Sequence, residues 1–405
     1  MTPRPTIVPT LSAETVPVNA ALPELDCLVV SYHDDDKAAL LADCLLPIAG
    51  RLQQRTGGEL AFLERHWLRG PHLRLTLPAA GPGLDRAGLL AEINDYLQAK
   101  PSTKPVDDEQ YGQLSQALGR AELVRPPYVP IRPDNTVSIE PYPVSATAEL
   151  IGAIGFELKQ GFLSSAVTPL RFAMDLIGSG AHRLIPAFSV LVAHAARWPV
   201  GGLATGQLSY RSHLEDYLAQ HDPDGRIRDV LADRFRRVEP VLRPLLQAQV
   251  ADTRTGRYHG SDGYLAAWST AFDRAWPPVL AAAGAGQLGE DLGPGYLDTA
   301  RGFDPTTERQ WRFGADRPSS EFHHELAKLN YLPERMHVVE FAAYRFMTNQ
   351  VTRWLPLLGI SPLERYLASY AVSELVESEF GVSWRDQLAT IQRDPNAQLS
   401  KGNQT

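Results

Sequence analysis

The chain has 405 residues, a formal net charge of −8 and 44% hydrophobic residues, a globular composition too long for one simple core. With 39 basic against 47 acidic residues there is no cationic excess to neutralise phosphates, which speaks against a general DNA or RNA binder. Only six basic residues are lysine and 33 are arginine; the bias reflects either a GC-rich gene or a surface that holds peptides through forked donors.

Cys27 and Cys44 fall in an apolar strand pattern and an apolar helix pattern, so both read as small buried hydrophobes. A disulfide framework or a cysteine zinc site is not expected. Residues 1–23, rich in Pro, Thr and Ala, lack the apolar stretch of a signal peptide and read as a loose arm. The longest apolar run, Leu184–Val192, is too short to span a bilayer, so the expectation is a soluble cytoplasmic protein.

In chain order, LDCLVVSY (25–32) reads as a buried strand, and 34–58 as a helix with aspartates at its start and glycines at its end. ELAFLERHWL and HLRLTL follow as alternating strands joined by Arg69-Gly70-Pro71, which suits a tight turn. An amphipathic helix at 85–98 leads through a Pro-rich, charged connection to a last strand at 136–142. The order β-α-β-β-α-β predicts an α+β fold with a ferredoxin-like sheet at 24–145, helices packed on one face.

From about residue 145 the apolar period becomes 3.6, which predicts helices at 146–160, 165–178, 184–197, 210–220, 224–250, 261–283, 335–355 and 362–380. The last begins Ser361-Pro362-Leu363-Glu364, a capping box with proline at the first helical position. Residues 146–395 therefore form a mainly helical part, with 197–330 as an insertion, 284–318 as a long loop within it and 396–405 as a disordered tail. No period of 20 to 50 residues recurs, which excludes a repeat array.

Several motifs fail on context. Gly284, Gly286 and Gly289 satisfy G-x-G-x-x-G but follow a helix, whereas a dinucleotide site needs a strand before and a helix after. Asp34, Asp35 and Asp36 diverge if helical, so helix capping explains them better than magnesium. His323 and His324 lack the i, i+4 spacing of a zinc helix, and no metal or cofactor is expected. Arg226, Arg228, Arg234, Arg236 and Arg237 alternate with Asp229, Asp233 and Glu239, either as a solvated helix face or as a groove for an acidic peptide.

The hairpin HWLRGPHLRL (66–75) is different. Period-2 alternation puts His72, Arg74 and Thr76 on one sheet face and Leu73, Leu75 and Leu77 on the other. In the preceding strand Phe62, Glu64 and His66 share a face, and Leu63, Arg65 and Trp67 share the opposite one. A sheet covered by helices on one side leaves the other for a ligand, and a row of His and Arg there needs carboxylates or a substrate.

FLERHWLRGPHLRLTL (62–77) resembles the strand, turn and His-Leu-Arg-Leu signature of the elimination domain of class I lantibiotic dehydratases and of stand-alone thiopeptide biosynthesis proteins. YRFMTNQVTRWLPLLGISPLE (344–364) is similar to that family's late helix, with Asn349, Gly359 and Glu364 in place. The departures are Thr76 where the family has a second strand arginine, Arg345 at the helix histidine, Gln350 at the arginine after the asparagine, and SIEPYPVS, which keeps only Glu140 and Tyr142. These are parts that glutamate elimination uses.

The resemblance therefore implies the branch that has abandoned elimination, the thiopeptide pyridine synthases. These join two dehydroalanines of a modified ribosomal precursor peptide by formal aza-(4+2) cycloaddition and expel the leader peptide, with no cofactor. In that reading His66 and His72 shuttle protons, and Arg65, Arg74 and Arg345 orient amide carbonyls or the leader. Tyr344 donates to the developing enol, and Trp67, Glu140, Tyr142 and Asn349 contact substrate. Arg226, Arg228, Arg234, Arg236 and Arg237 bind the leader, and other enzymes of the pathway are possible partners. Two rivals remain: a glutamate-elimination enzyme with displaced groups, and a noncatalytic leader-binding subunit.

Overall fold

Strands that alternate apolar and polar residues are expected to share one sheet with one covered face; the computed structural model, which describes residues 22–56, 61–78, 84–199, 201–255, 262–288, 295–312, 319–329 and 338–393, has the single sheet, but its central strands are buried on both faces. Leu25–Ser31 (β1), Leu63–His66 (β2), His72–Pro78 (β3) and Thr136–Pro141 (β4) form a four-stranded sheet in the order β2-β3-β1-β4. Every neighbouring pair is antiparallel, as a ferredoxin-like unit requires. The expected arm, apart from its last two residues, the expected tail and Gly289 lie outside the described residues.

Between β1 and β2, Ala38–Leu40 (α1) and Leu46–Thr56 (α2) are joined by a π turn at Leu41–Leu45. Arg86–Ala99 (α3) follows β3, its start capped by Asp85, whose carboxylate accepts the Gly88 N–H. Leu45, Ile48, Leu52, Ile93 and Leu97 belong to the same hydrophobic cluster as Leu28, Val30, Leu73, Leu75 and Leu77, so these helices cover the leucine face of the sheet. Each such leucine contributes about 1.5–3 kcal/mol on burial. Of the three aspartates, Asp36 meets the helix start by accepting the Ala38 N–H. Asp34 and Asp35 instead pin the incoming loop, through the backbone of Thr103 and Lys104 and the Lys104 ammonium.

The connection before β4 contains a helix, Asp108–Glu122 (α4), where an irregular, charged segment was expected. Asp107 caps it; Tyr111, Leu114 and Leu118 recur at helical spacing, but Leu114 is exposed and the buried positions are Ser115 and Gly119. Gly119 is required there: a Cβ would lie 2.1 Å from the Tyr128 hydroxyl.

The helical part comprises Val144–Ser165 (α5), Val167–Gly178 (α6), Leu184–Ala195 (α7), Gly202–Gly206 (α8), Leu208–His221 (α9), Arg226–Thr255 (α10) and Asp262–Gly284 (α11). It continues with Tyr296–Arg301 (α12), Pro305–Trp311 (α13), Glu321–Leu329 (α14), Val338–Trp354 (α15), Pro362–Phe380 (α16) and Trp384–Arg393 (α17). The short helices α12 and α13 occupy part of the stretch expected as a long loop; Asp304 caps α13 by accepting from Thr306 and Thr307. The capping box at Ser361 and Glu364 is present. Helix α11 packs on α5, α6, α7 and α15, and α16 on α7, α9 and α10, so much of 197–330 is woven into the same hydrophobic cluster as the sheet. Among the described residues no helix is long and apolar enough to cross a membrane.

Candidate active site

Register decides which side chains meet on the face opposite the leucines. Glu64 lies opposite Arg74 and His66 opposite His72, while β1 places Val29 and Cys27 between Arg74 and Thr76 on one side and Ser138 and Glu140 on the other. The rings of His66 and His72 are 5.4 Å apart. His72 is fully buried and Arg74 is 6% exposed, whereas His66 stays partly exposed and keeps the row open at the β2 edge.

Lys159, from α5, closes this face from the helical side. Its ammonium lies 2.7 Å from one Glu64 oxygen and donates to the Tyr142 hydroxyl at 3.1 Å, and that hydroxyl donates to the other Glu64 oxygen at 2.6 Å. Burial alone would raise the Glu64 pKa, but Lys159 and Tyr142 outweigh it and hold the carboxyl below its usual range. Burial also pushes Lys159 down and, helped by Glu64, pushes Tyr142 well up, so Tyr142 is a hydrogen-bond donor rather than a base.

A second pair sits at β4. Arg132 grips Glu140 through two nitrogens at 3.2 and 2.7 Å and also donates to the Leu68 carbonyl at 2.6 Å, tying the end of the β2 segment to β4. Arg132 and Lys159 are thus answered by Glu140 and Glu64. The Arg74 side chain makes no ion pair or hydrogen bond among the described residues, yet it lies near enough to Glu64 and Glu140 to help hold both carboxyls low, so the face carries three cations against two carboxylates. Burial first, and Arg74 second, push His66 and His72 well below the ordinary histidine value, so both rings are neutral at neutral pH.

The structure brings together His66, His72, Arg74, Glu140 and Tyr142. Trp67 is a correction: β2 ends at His66, alternation stops there, and the indole stacks on the His66 ring at 5.5 Å while donating to Glu122 at 2.9 Å. Arg65 follows the alternation onto the leucine face and donates to the Pro356 carbonyl at 3.5 Å, away from the histidines. Thr76, at the position of the missing arginine, accepts from the Phe62 N–H and donates to the Phe62 carbonyl. It is a clamp between strands.

Tyr344 lies in the helical core, its hydroxyl donating to the Gly206 carbonyl at 2.8 Å and its ring stacked on His194 at 4.4 Å. Arg345 sits close enough to His213 on α9 to depress that ring's pKa. Asn349 is partly exposed on α15, one turn before Arg353, which donates to the Tyr296 hydroxyl at 2.6 Å and lies close enough to Lys159 to help lower its pKa. On α10, Arg228 pairs with Glu215 through two nitrogens, Arg226 with Asp224, and Arg236 and Arg237 with Asp233, while Arg234 is exposed.

Sequence reasoning missed Lys159 and Arg132. Lys159 had a signal: with Phe156, Gln160 and Leu163 it falls on the buried stripe of an apolar helix, where a lysine must have a partner. Arg132 had none, since it follows a Pro-rich stretch without period. In the second signature, Gly359 adopts φ 75° with the Arg183 guanidinium 2.5 Å from where a Cβ would sit, and Glu364 belongs to the capping box, so both matched residues have structural work.

Residues 27–376 match the family described as lantibiotic biosynthesis dehydratase C-terminal. Among solved structures, the chain is similar to a pyridine synthase, TbtD, from thiomuracin biosynthesis, with a TM-score of 0.67 and 22% identity over 88% of this chain and 99% of that one. It is also similar to TsrL, with a TM-score of 0.58 and 21% identity over 91% of this chain and 98% of that one. At these identities the likeness is one of fold. Comparison with curated proteins finds no match. Because the family match covers most of the chain, from β1 to the middle of α16, the protein belongs to the lantibiotic dehydratase C-terminal family.

Proposed function

We propose that the protein is an enzyme of thiopeptide biosynthesis that joins two dehydroalanines of a modified precursor peptide by formal aza-(4+2) cycloaddition, forming the pyridine and macrocycle with loss of water and of the leader peptide. The observation that carries this reading is Arg74, buried with no direct ion pair and the surplus cation of its face, beside two neutral histidines. To make the azadiene, one substrate amide must pass from N–H and C=O to N=C–OH, and negative charge appears on its oxygen on the way. A fixed cation answering charge that exists only then stabilises the transition state more than the ground state. Holding the two alkenes together supplies roughly 7 to 11 kcal/mol more.

Family membership and the pyridine synthase among the structural neighbours support the reading. So do the three lost elimination positions: Thr76 is spent on Phe62, Arg345 stands by His213, and Gln350 is buried. The leader is proposed to lie along α10, where Arg226 and Arg234 are exposed. Replacing Arg226, Arg234, Arg236 and Arg237, and leaving Arg228 in its pair with the buried Glu215, should weaken binding of a labelled leader and leave the fold intact; unchanged binding removes that part.

One observation also favours a second reading, since an unpaired buried guanidinium suits the carboxylate of a departing glutamate. Mass spectrometry of a dehydrated, azole-bearing precursor incubated with the purified protein separates the two. Loss of water with a released leader amide establishes cycloaddition. An unchanged precursor, with loss of glutamate from a glutamylated version, establishes elimination; no change in either makes the protein a leader-binding subunit.

A further inference from the structure

Neighbouring histidines are interchangeable as proton carriers unless something fixes where each ring keeps its proton. Here the turn between β2 and β3 does so. His66 Nδ1 accepts the Leu68 N–H at 3.0 Å, so its neutral ring must carry the proton on Nε2. His72 Nδ1 lies 2.8 Å from the Gly70 carbonyl, which can only accept, so that nitrogen is protonated and His72 Nε2 is a bare lone pair. This Nε2 has no partner among the described residues and is fully buried, so substrate reaches it only by displacing the side chains at the β2 edge beside the partly exposed His66.

Both settings come from one tight turn. Gly70 donates to the Trp67 carbonyl at 3.1 Å and holds φ 106°, a conformation that L side chains rarely adopt. A Cβ at Gly70 would lie 2.9 Å from the Ile131 side chain, so the close approach adds a second reason for glycine. The charged groups facing His66 are Arg74, Lys159 and Arg132, with His72 alongside. Those facing His72 are Arg74, Arg132 and Lys37. All of these favour the neutral rings whose tautomers the turn sets.

We propose, resting on the pyridine-forming reading, that this turn gives the two histidines opposite tasks toward one substrate amide: His72 Nε2 removes its N–H proton, and His66 Nε2–H, with Arg74, holds its oxygen. The N–H bond breaks, its electron pair forms the C=N bond, and the carbonyl π pair moves onto oxygen. The proton resides on His72 as imidazolium while His66 and Arg74 face the oxyanion. His72 then delivers that proton to the oxygen, giving N=C–OH and restoring both rings. Nothing is oxidised or reduced. His66 never leaves its neutral form, so it acts as a hydrogen-bond donor and not as a proton source.

The test reads the tautomers directly, by two-bond ¹H–¹⁵N correlation spectra of the full-length protein labelled with ¹⁵N-histidine, with His66→Gln and His72→Gln identifying the two signals. The expected result is His66 in the Nε2–H form and His72 in the Nδ1–H form; the reverse at either ring overturns the assignment. Turnover of the dehydrated precursor adds a second arm. His72→Gln, which can accept but is not basic, should lower kcat about 100-fold or more. His66→Gln, whose terminal amide offers an N–H near the Nε2 position, should lose no more than about 10-fold, against about 100-fold for His66→Ala. A wild type that forms pyridine with reversed tautomers, or with His72→Gln near full rate, refutes this inference alone. A wild type that forms no pyridine refutes the functional reading and the amide step with it.

Discussion

The sheet face and the helical core each bury a histidine whose Nε2 has no partner among the described residues, and the two surroundings differ in what makes an active site. In the helical core His194 stacks on Tyr344, exchanges a 2.8 Å hydrogen bond with the Tyr210 hydroxyl, and is fully buried with both tyrosines. The nearby Arg197 is already paired with Asp273, so the cluster is closed and electrically neutral. On the sheet face, His72 has a partly exposed histidine beside it and, two residues away, a guanidinium with no direct ion pair. A depressed histidine pKa occurs in both places, and so reports burial. Surplus charge at an open edge is what separates them.

The widest test of that contrast is Lys159→Met. If Lys159 balances the sheet face, the variant leaves the buried Glu64 carboxylate with no direct ion pair, only the Tyr142 hydroxyl and the more distant Arg74 charge, and about 3 kcal/mol of stability should be lost in urea titrations. Adding Glu64→Gln removes the stranded charge and should recover at least half of the loss. A single-variant cost below about 1 kcal/mol would mean that water, not Lys159, satisfies Glu64.

Arg74→Met should behave differently. With no direct ion pair to lose, and with Glu64 and Glu140 already paired to Lys159 and Arg132, stability should change little, because a surplus buried cation is itself unfavourable. Turnover should fall by about 10²- to 10³-fold if the guanidinium faces developing charge. A stability loss above about 2 kcal/mol with turnover intact would make Arg74 structural and erase the contrast with His194.

These expectations rest on features of unequal legibility. The four strands and the polar row of His72, Arg74 and Thr76 could be read because a period of two needs only one register to put alternate side chains on one face. The same rule placed Arg65 correctly on the leucine face and misplaced Trp67, because it holds only while the strand lasts and β2 stops at His66. Helix α4 went unread although Tyr111, Leu114 and Leu118 fall at helical spacing, because so sparse a pattern beside Gly112 and Gly119 is weak, and the positions it buries are Ser115 and Gly119. The signature around Tyr344 could not distinguish a core position from a site position, since a tyrosine with a hydrogen-bonded hydroxyl suits both. The counter-ion balance that singles out Arg74 depends on Lys159 and Arg132, residues distant in sequence that only folding brings to the face.

The pH dependence sharpens the comparison further. Unfolded histidines titrate near 6.5, while burial pushes His194 down to about 3 and, helped by neighbouring cations, His213 down to about 4; His66 and His72 move the same way. Below about pH 6.5 the unfolded chain therefore takes up protons that the folded chain refuses, and stability falls by up to about 1.4 kcal/mol per pH unit for each such ring. The loss ends only once pH drops through the folded pKa. His194→Gln and His72→Gln should each flatten the fall in Tm between pH 7 and 5 by a similar amount. Only His72→Gln should also change how turnover depends on pH, and equal effects on turnover would place His194 in the reaction.

Tyr344→Phe should have the smallest effect and places a limit on the site. The lost hydroxyl strands the Gly206 carbonyl, one buried hydrogen bond of ordinary strength, so about 1 kcal/mol of stability should go. The ring still stacks on His194, and a Cβ at Gly206 would lie only 2.1 Å from the Ala195 carbonyl oxygen, so the helices in this region have little room to shift. Pyridine formation should then change by less than about threefold, a barrier change well under 1 kcal/mol. A 100-fold loss would be informative in the other direction. The tyrosine is 1% exposed and its hydroxyl is committed to a backbone carbonyl, so it could matter that much only if substrate binding parts α8 from α15. The site would then extend from the sheet into the helical half, and the neutrality of the His194 cluster would be a property of the closed state alone.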